Sequence, residues 1–154
     1  MIKEYTQEEF ENAHEVLSTC EDIYNEKYFK SDFDLEGYSC LTFFTYELNN
    51  ETIGFGSYQD NDYMFIIELI FKLKYQYSEY QDELFNHIMN EINKKNKDNV
   101  NIFVHQSTDE DYKYYLSRNF KLWKDYKEQT PSMFENIEGV DVMRYVLVYK
   151  NEKL

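Results

Sequence analysis

Glu68 is the residue whose type and setting most clearly suggest chemistry. It is the only carboxylate in Tyr63–Phe71, a run that is otherwise almost wholly apolar. A carboxylate withdrawn from water holds its proton to higher pH unless it is paired. Such a group suits a general base that must strip an ammonium before the amine attacks. The plainer alternative is a structural carboxylate bonded to a neighbouring Tyr or Lys. Downstream, Ser78-Glu79-Tyr80-Gln81 has the form of a capping box and opens an amphipathic helix. A strand running into a helix N-terminus is where many α/β proteins bind phosphate, through free N–H groups and the positive dipole end. Here that first turn carries Glu79, Asp82 and Glu83 and no glycine, so its own charge opposes an anion.

Little else in the chain competes as a reactive centre. His14, His87 and His105 stand at no metal-ligand spacing, so no metal site is expected. Cys20 and Cys40 form no CxxC pair and read as free thiols. No GxSxG, P-loop or HExxH occurs.

The elements that must position Glu68 follow from periodicity. Met1–Tyr5 reads as a short strand. Thr6-Gln7-Glu8-Glu9 is a capping box, followed at helical spacing by Phe10, Ala13, Leu17, Cys20 and Tyr24. Asn25–Tyr38 lacks a period and reads as a short helix and a loop. Cys40–Leu48 and Glu51–Tyr58 are strands joined at Asn49-Asn50, a hairpin signal. Gln59–Asp62 reads as the next turn. In the helix after Ser78, Tyr80, Leu84, Phe85, Ile88, Met89 and Ile92 trace one face. Val100–His105 reads as a strand, Ser107-Thr108-Asp109-Glu110 as a third capping box opening a helix to Arg118, and Phe120–Tyr126 as a strand. Lys127–Gly139 is expected as an irregular loop, and Val140–Tyr149 as one final strand. The order β, α, (α), β, β, β, α, β, α, β, β predicts an α/β fold: one domain over residues 1–154, with a twisted mixed, mostly antiparallel sheet and helices on its faces.

Three local patterns resemble the GNAT N-acetyltransferase superfamily. Glu51-Thr52-Ile53-Gly54-Phe55-Gly56 is similar to its third strand. Glu68–Phe85 aligns without gaps on its fourth strand, the following turn and the helix that binds acetyl-CoA. Tyr114-Tyr115-Leu116-Ser117-Arg118-Asn119-Phe120 resembles its late helix-to-strand turn, with Asn119 in the glycine slot. The resemblance implies a GNAT-like domain and acetyl transfer from acetyl-CoA to a primary amine. It makes Glu68 the base and Tyr115 the acid for the leaving thiolate, with Lys127–Gly139 a substrate wall. Leu69, Ile70 and Phe71 would lie beside the pantetheine arm. The family's phosphate motif is Gln or Arg, two residues, Gly, one residue, Gly or Ala. It falls on Gln76, Tyr77, Ser78, Glu79, Tyr80 and Gln81, so Gln76 fits while Glu79 and Gln81 stand in the glycine slots. Lys72 and Lys74 flank this motif as surface lysines or as attractors of phosphate.

Net charge bounds the partners. With 30 acidic against 16 basic residues in 154, the chain carries −14. That charge disfavours nucleic-acid phosphates and anionic membranes, and attracts cations. The expected acceptor is therefore a small-molecule amine or a lysine-containing peptide, and a homodimer is compatible with the reading. No apolar run reads as a signal peptide or membrane span, so a cytoplasmic location is the expectation. Two other functions stay open: an inactive GNAT-fold binding or regulatory protein, and an acidic protein covering a basic partner surface.

Overall fold

The structure, a computed structural model, describes residues 1–28, 35–61, 64–95, 101–106, 109–122, 134–137, 140–143 and 145–150. The first of two units comprises Met1–Gln59 and Glu68–Lys95; the second comprises Asp60–Ile67 and Asn96–Leu154.

In the first unit, β1 (Ile2–Tyr5) leads into α1 (Gln7–Asn12) through the expected cap. The Thr6 hydroxyl accepts the Glu9 N–H at 3.2 Å, and the Glu9 carboxylate accepts the Thr6 N–H at 3.5 Å. The periodic run from Phe10 to Tyr24 is not one helix. It breaks at Ala13 (φ −96°, ψ 47°), and α2 (His14–Tyr28) starts afresh. No glycine or proline marks the break. The arrangement is held by tertiary packing, because Phe10 of α1 and Leu17, Cys20 and Ile23 of α2 share one core with Tyr38, Phe43, Phe55 and Ile70.

After α3 (Leu35–Ser39), β2 (Thr42–Leu48) and β3 (Glu51–Asn61) form an antiparallel hairpin, with β1 on the other side of β2. Asn49 and Asn50 have φ of 52° and 65°, as a two-residue type I′ turn requires. The expected turn at Gln59–Asp62 is absent as far as Asn61: β3 continues straight through it. The Glu68–Phe71 half of β4 (Met64–Phe71) is the last strand of this unit. Alternation along the strands gives the unit two faces. Phe43, Phe55 and Ile70 point into the core under α1 and α2. Phe44 and Tyr46 point the other way, onto α4 (Glu79–Lys95), where the Phe44 ring meets His87 at 5.2 Å and Tyr46 donates a hydrogen bond to Glu83. Leu84, Phe85, Ile88, Met89 and Ile92 form the buried face of α4, as their spacing predicts, and Lys94 and Lys95 suit its C-terminal dipole end.

In the second unit, Met64–Ile67 of β4 pairs in parallel with β5 (Asn101–Gln106). The chain then forms α5 (Asp109–Leu116), β6 (Lys121–Leu122), β7 (Phe134–Ile137), β8 (Val140–Met143) and β9 (Tyr145–Lys150). β9 lies antiparallel between β5 and β6. Two expectations fail here. Phe134–Ile137, inside the expected loop, is a strand. It pairs with Val140–Met143, so the expected final strand is really two strands in different sheets. The remainder of Lys127–Gly139, residues 123–126 of the expected strand and the Ser107 cap lie outside the described residues.

The helix-to-strand turn holds as expected. Asn119 is left-handed at φ 68°, and the Phe120 and Asn119 N–H groups reach back to the carbonyls of Tyr115 and Leu116 at 3.1 and 3.3 Å. This is a Schellman motif, completed by Phe120 packing edge-on to Tyr115 at 5.2 Å.

Candidate functional site

The β4–α4 connection is built without glycine. β4 ends at Phe71, and a single 3-10 turn spans Leu73–Tyr75. Its first N–H, from Leu73, donates to the Glu26 carboxylate of α2 at 3.1 Å. Tyr77 is left-handed at φ 59°, a costly conformation for an aromatic residue. Gln81 stabilises it: its side-chain oxygen accepts the Tyr77 N–H at 2.9 Å, and the whole residue is 1% exposed. Ser78 donates its hydroxyl to the Tyr75 carbonyl at 2.6 Å and weakly accepts the Gln81 N–H at 3.4 Å.

This corrects the expected capping box. The Ser78 half is present, but the Gln81 side chain passes over the Ser78 N–H. The reason is that the Tyr75 carbonyl already takes that N–H at 3.3 Å. Of the two residues in the glycine slots, Gln81 is therefore folded inward as a brace, while Glu79 is exposed. Among the described residues, the N–H groups of Glu79 and Tyr80 have no protein acceptor, as a helix start leaves them. Gln76, Tyr77, Ser78 and Tyr80 around them are half-buried.

Leu69, Ile70 and Phe71 are buried by their side chains. The β4–β5 ladder ends at Ile67↔Val104, yet β4 runs on through Phe71. The backbone groups of Leu69–Phe71 on that edge therefore take no ladder bond among the described residues. Gly56 lets α4 close on β4: a Cβ there would sit 2.9 Å from the Glu68 carbonyl and 3.0 Å from Ile88.

Glu68 is half-buried and accepts a hydrogen bond from the Tyr38 hydroxyl of α3. Burial pushes the Tyr38 phenol far above its ordinary pKa, and the Glu68 charge pushes it further, with Tyr28 and Tyr24 of α2 adding. Tyr38 was not foreseen. It is one of 16 tyrosines and ends an aperiodic segment, so nothing in the sequence marked it.

Tyr115 lies in the second unit, 2% exposed, its ring 5.2 Å from those of Tyr114 and Phe120. Lys72 is committed to an ion pair with Glu51, whose carboxyl it holds below the usual range. Lys74 is exposed, 5.1 Å over the Tyr75 ring. Close to Glu79, the hydroxyl of the buried Tyr46 donates to the Glu83 carboxylate. Burial first, then the Glu83 bond and charge, raise its phenol to about 12, with Tyr80 and Glu79 adding. Nothing in the sequence marks Tyr46, and Glu83 stands out there only as part of the acidic first turn.

His87 makes a 3.5 Å contact with Glu91, and among the described residues no group of three His, Cys, Asp or Glu could hold a metal. None of the described helices is long and apolar enough to cross a membrane.

Burial pushes the Cys20 thiol up to about 12, so it is no nucleophile at neutral pH. Because the folded pKa lies above the unfolded one, this group's stability is intact below about pH 9 and is lost as pH rises towards 12, by about 4 kcal/mol in all. Urea titrations between pH 8 and 11 should show wild type losing stability faster than Cys20→Ala. Parallel losses would mean the thiol ionises without unfolding.

No family model matches the chain, and no curated protein matches it in sequence. Solved structures match it in fold. The ribosomal-protein-S18-alanine N-acetyltransferase of Escherichia coli superposes with a TM-score of 0.67 at 11% identity, over 100% of this chain and 95% of that one. The chain has the fold of the GNAT N-acetyltransferases. An aminoglycoside 6′-N-acetyltransferase complexed with coenzyme A gives 0.70 at 12% identity, over 97% and 96%. The PaiA N-acetyltransferase of Thermoplasma acidophilum, in complex with coenzyme A, gives 0.61 at 12%, over 98% and 99%.

Proposed function

We propose that this protein is an N-acetyltransferase that moves the acetyl group of acetyl-CoA to a primary amine of a cationic acceptor. The observation that carries the reading is Glu68: a half-buried, hydrogen-bonded carboxylate on β4 of a GNAT fold. The residues at hand fit the donor in part. Among the described residues the N–H groups of Glu79 and Tyr80 have no acceptor and Leu69–Phe71 take no ladder bond from β5, which suits the first to its phosphates and the second to the amides of its pantetheine arm. Gln81 raises no obstacle, because its side chain is turned inward. Glu79 does, because its charge stands at the same helix end.

When bound, acetyl-CoA supplies the activated thioester. Glu68 takes the proton from the acceptor ammonium and leaves a neutral amine able to attack. Tyr115 is the proposed proton donor to the departing thiolate, a role that rests on its motif position. Cationic acceptors are favoured by the net charge of −14. Two of the structural relatives are named for an aminoglycoside and a ribosomal protein, both amine acceptors. The proposed partners are accordingly small amines and lysine-containing peptides, in a cytoplasmic setting.

The deciding experiment is an acceptor screen with acetyl-CoA, alongside thermal shift with acetyl-CoA alone. The folded protein should be stabilised by mass action, and polyamines and lysine peptides should outperform neutral amines, less so at high salt. No thermal shift and no product from any amine would remove the reading and favour a non-catalytic GNAT-fold protein. In calorimetric titration, Glu79→Gly should bind acetyl-CoA about tenfold tighter than wild type, because it removes both the side chain and the repulsion. Tight wild-type binding with no gain in the variant would show that Glu79 points away from the phosphates.

A further inference from the structure

The alternation of β4 sends Glu68 to the same side as Ile70, into the face covered by α2 and α3. There its carboxylate meets the Tyr38 hydroxyl. The Tyr38 ring packs edge-on against both Phe43 and Phe55, each 5.7 Å away, and is 7% exposed. The hydroxyl is thus aimed by packing and not by chance rotation. Among the described residues, α2 brings titratable groups to the pair. Tyr24 and Tyr28 act on Tyr38, and the Lys27 ammonium lies 5.6 Å over the Tyr28 ring and 6.0 Å over that of Tyr77.

We propose that Tyr38 is a positioning residue for Glu68, fixing one orientation of its carboxylate and holding it ionised until an acceptor ammonium delivers its proton. This rests on the reading of Glu68 as the base. A hydroxyl that donates to a carboxylate favours the charged form. The donor must not ionise itself, and burial beside an anion keeps this phenol protonated. Tyr38 therefore remains a donor throughout the working pH range. A base held ionised is ready at every encounter, and one held in a single rotamer meets the ammonium in one geometry.

The variant is Tyr38→Phe, which keeps the ring against Phe43 and Phe55 and removes only the hydroxyl. Glutamate carboxyls labelled with carbon-13 would be titrated by NMR, with Glu68 assigned by its absence in Glu68→Gln. The Glu68 midpoint should rise by about one pH unit in Tyr38→Phe. The acid limb of the kcat/KM profile should move with it, with kcat down about tenfold and the amine KM nearly unchanged. Should Tyr38→Phe fold poorly, Glu68→Gln gives the reciprocal reading: the Tyr38 hydroxyl proton, followed by NMR, should move upfield once its acceptor is neutral. An unmoved Glu68 midpoint, or an unmoved Tyr38 hydroxyl proton in Glu68→Gln, overturns the proposal. A moved midpoint in a protein that acetylates no amine would confirm the pairing while sinking the proposed function.

Discussion

Glu68→Gln is expected to lower kcat/KM for amine acetylation by about a hundredfold or more at neutral pH. Glutamine has nearly the same shape, and its side-chain oxygen can still accept the Tyr38 hydroxyl. The core around Phe43, Phe55 and Ile70 should therefore be undisturbed. What is lost is the ability to take a proton, so kcat should fall while KM for acetyl-CoA stays put. Raising the pH should restore part of the rate, because more of the acceptor is then already neutral. Steady-state assays from pH 6 to 10 measure both effects. A rate equal to wild type across that range would mean that the acceptor loses its proton to water or to another group, and Glu68 would be left with a structural role.

Gly54→Ala should be among the most damaging small changes available in the first unit. A Cβ at position 54 would sit 2.4 Å from two carbons of the Phe71 ring and 2.6 Å from a third. Phe71 is fully buried and tilts against Tyr46 at 6.1 Å, so the ring has nowhere to retreat. Overpacking of this severity costs about 3 kcal/mol, or about 10 °C in Tm for a chain of this size. Chemical denaturation of wild type and variant reads it directly. The double variant Gly54→Ala with Phe71→Val should recover part of the loss, because the two sites contact and cannot be additive. A single variant within 1 kcal/mol of wild type would show that the β3–β4 spacing is softer than the packing suggests.

The sequence disclosed those parts of the fold whose causes are local. The α4 face is legible because Leu84, Phe85, Ile88, Met89 and Ile92 repeat at helical spacing. The hairpin at Asn49-Asn50 and the turn at Asn119 are legible because each needs positive φ and asparagine tolerates it. Features set by distant residues were hidden. The break at Ala13 has no breaker residue and answers to a core assembled from β2, β3 and β4. β3 runs through Asp60 and Asn61, which have the composition of a turn. The hairpin of Phe134–Ile137 with Val140–Met143 is read as loop and strand when each half is viewed alone. Within the candidate site, Glu68 was visible as a charge out of pattern, whereas Tyr38 acquires meaning only when α3 meets β4, thirty residues later. Gln81 misled because a glutamine three residues after a serine is the usual form of a cap, while the left-handed Tyr77 gave it another use.

Glu26 and Lys27 are consecutive residues of α2, and both reach the β4–α4 turn. One carboxylate takes the Leu73 N–H, and the buried ammonium lies over Tyr77. The end of α2 and the turn thus meet at two points. Any ligand that displaces the end of α2 must also work against the turn, and any ligand that tightens the turn draws on α2. Thermodynamic linkage makes this traffic reciprocal: each ligand changes the other's affinity by the same factor. An acceptor that leans on α2 and a donor that settles on the helix start would then be coupled in binding without touching each other.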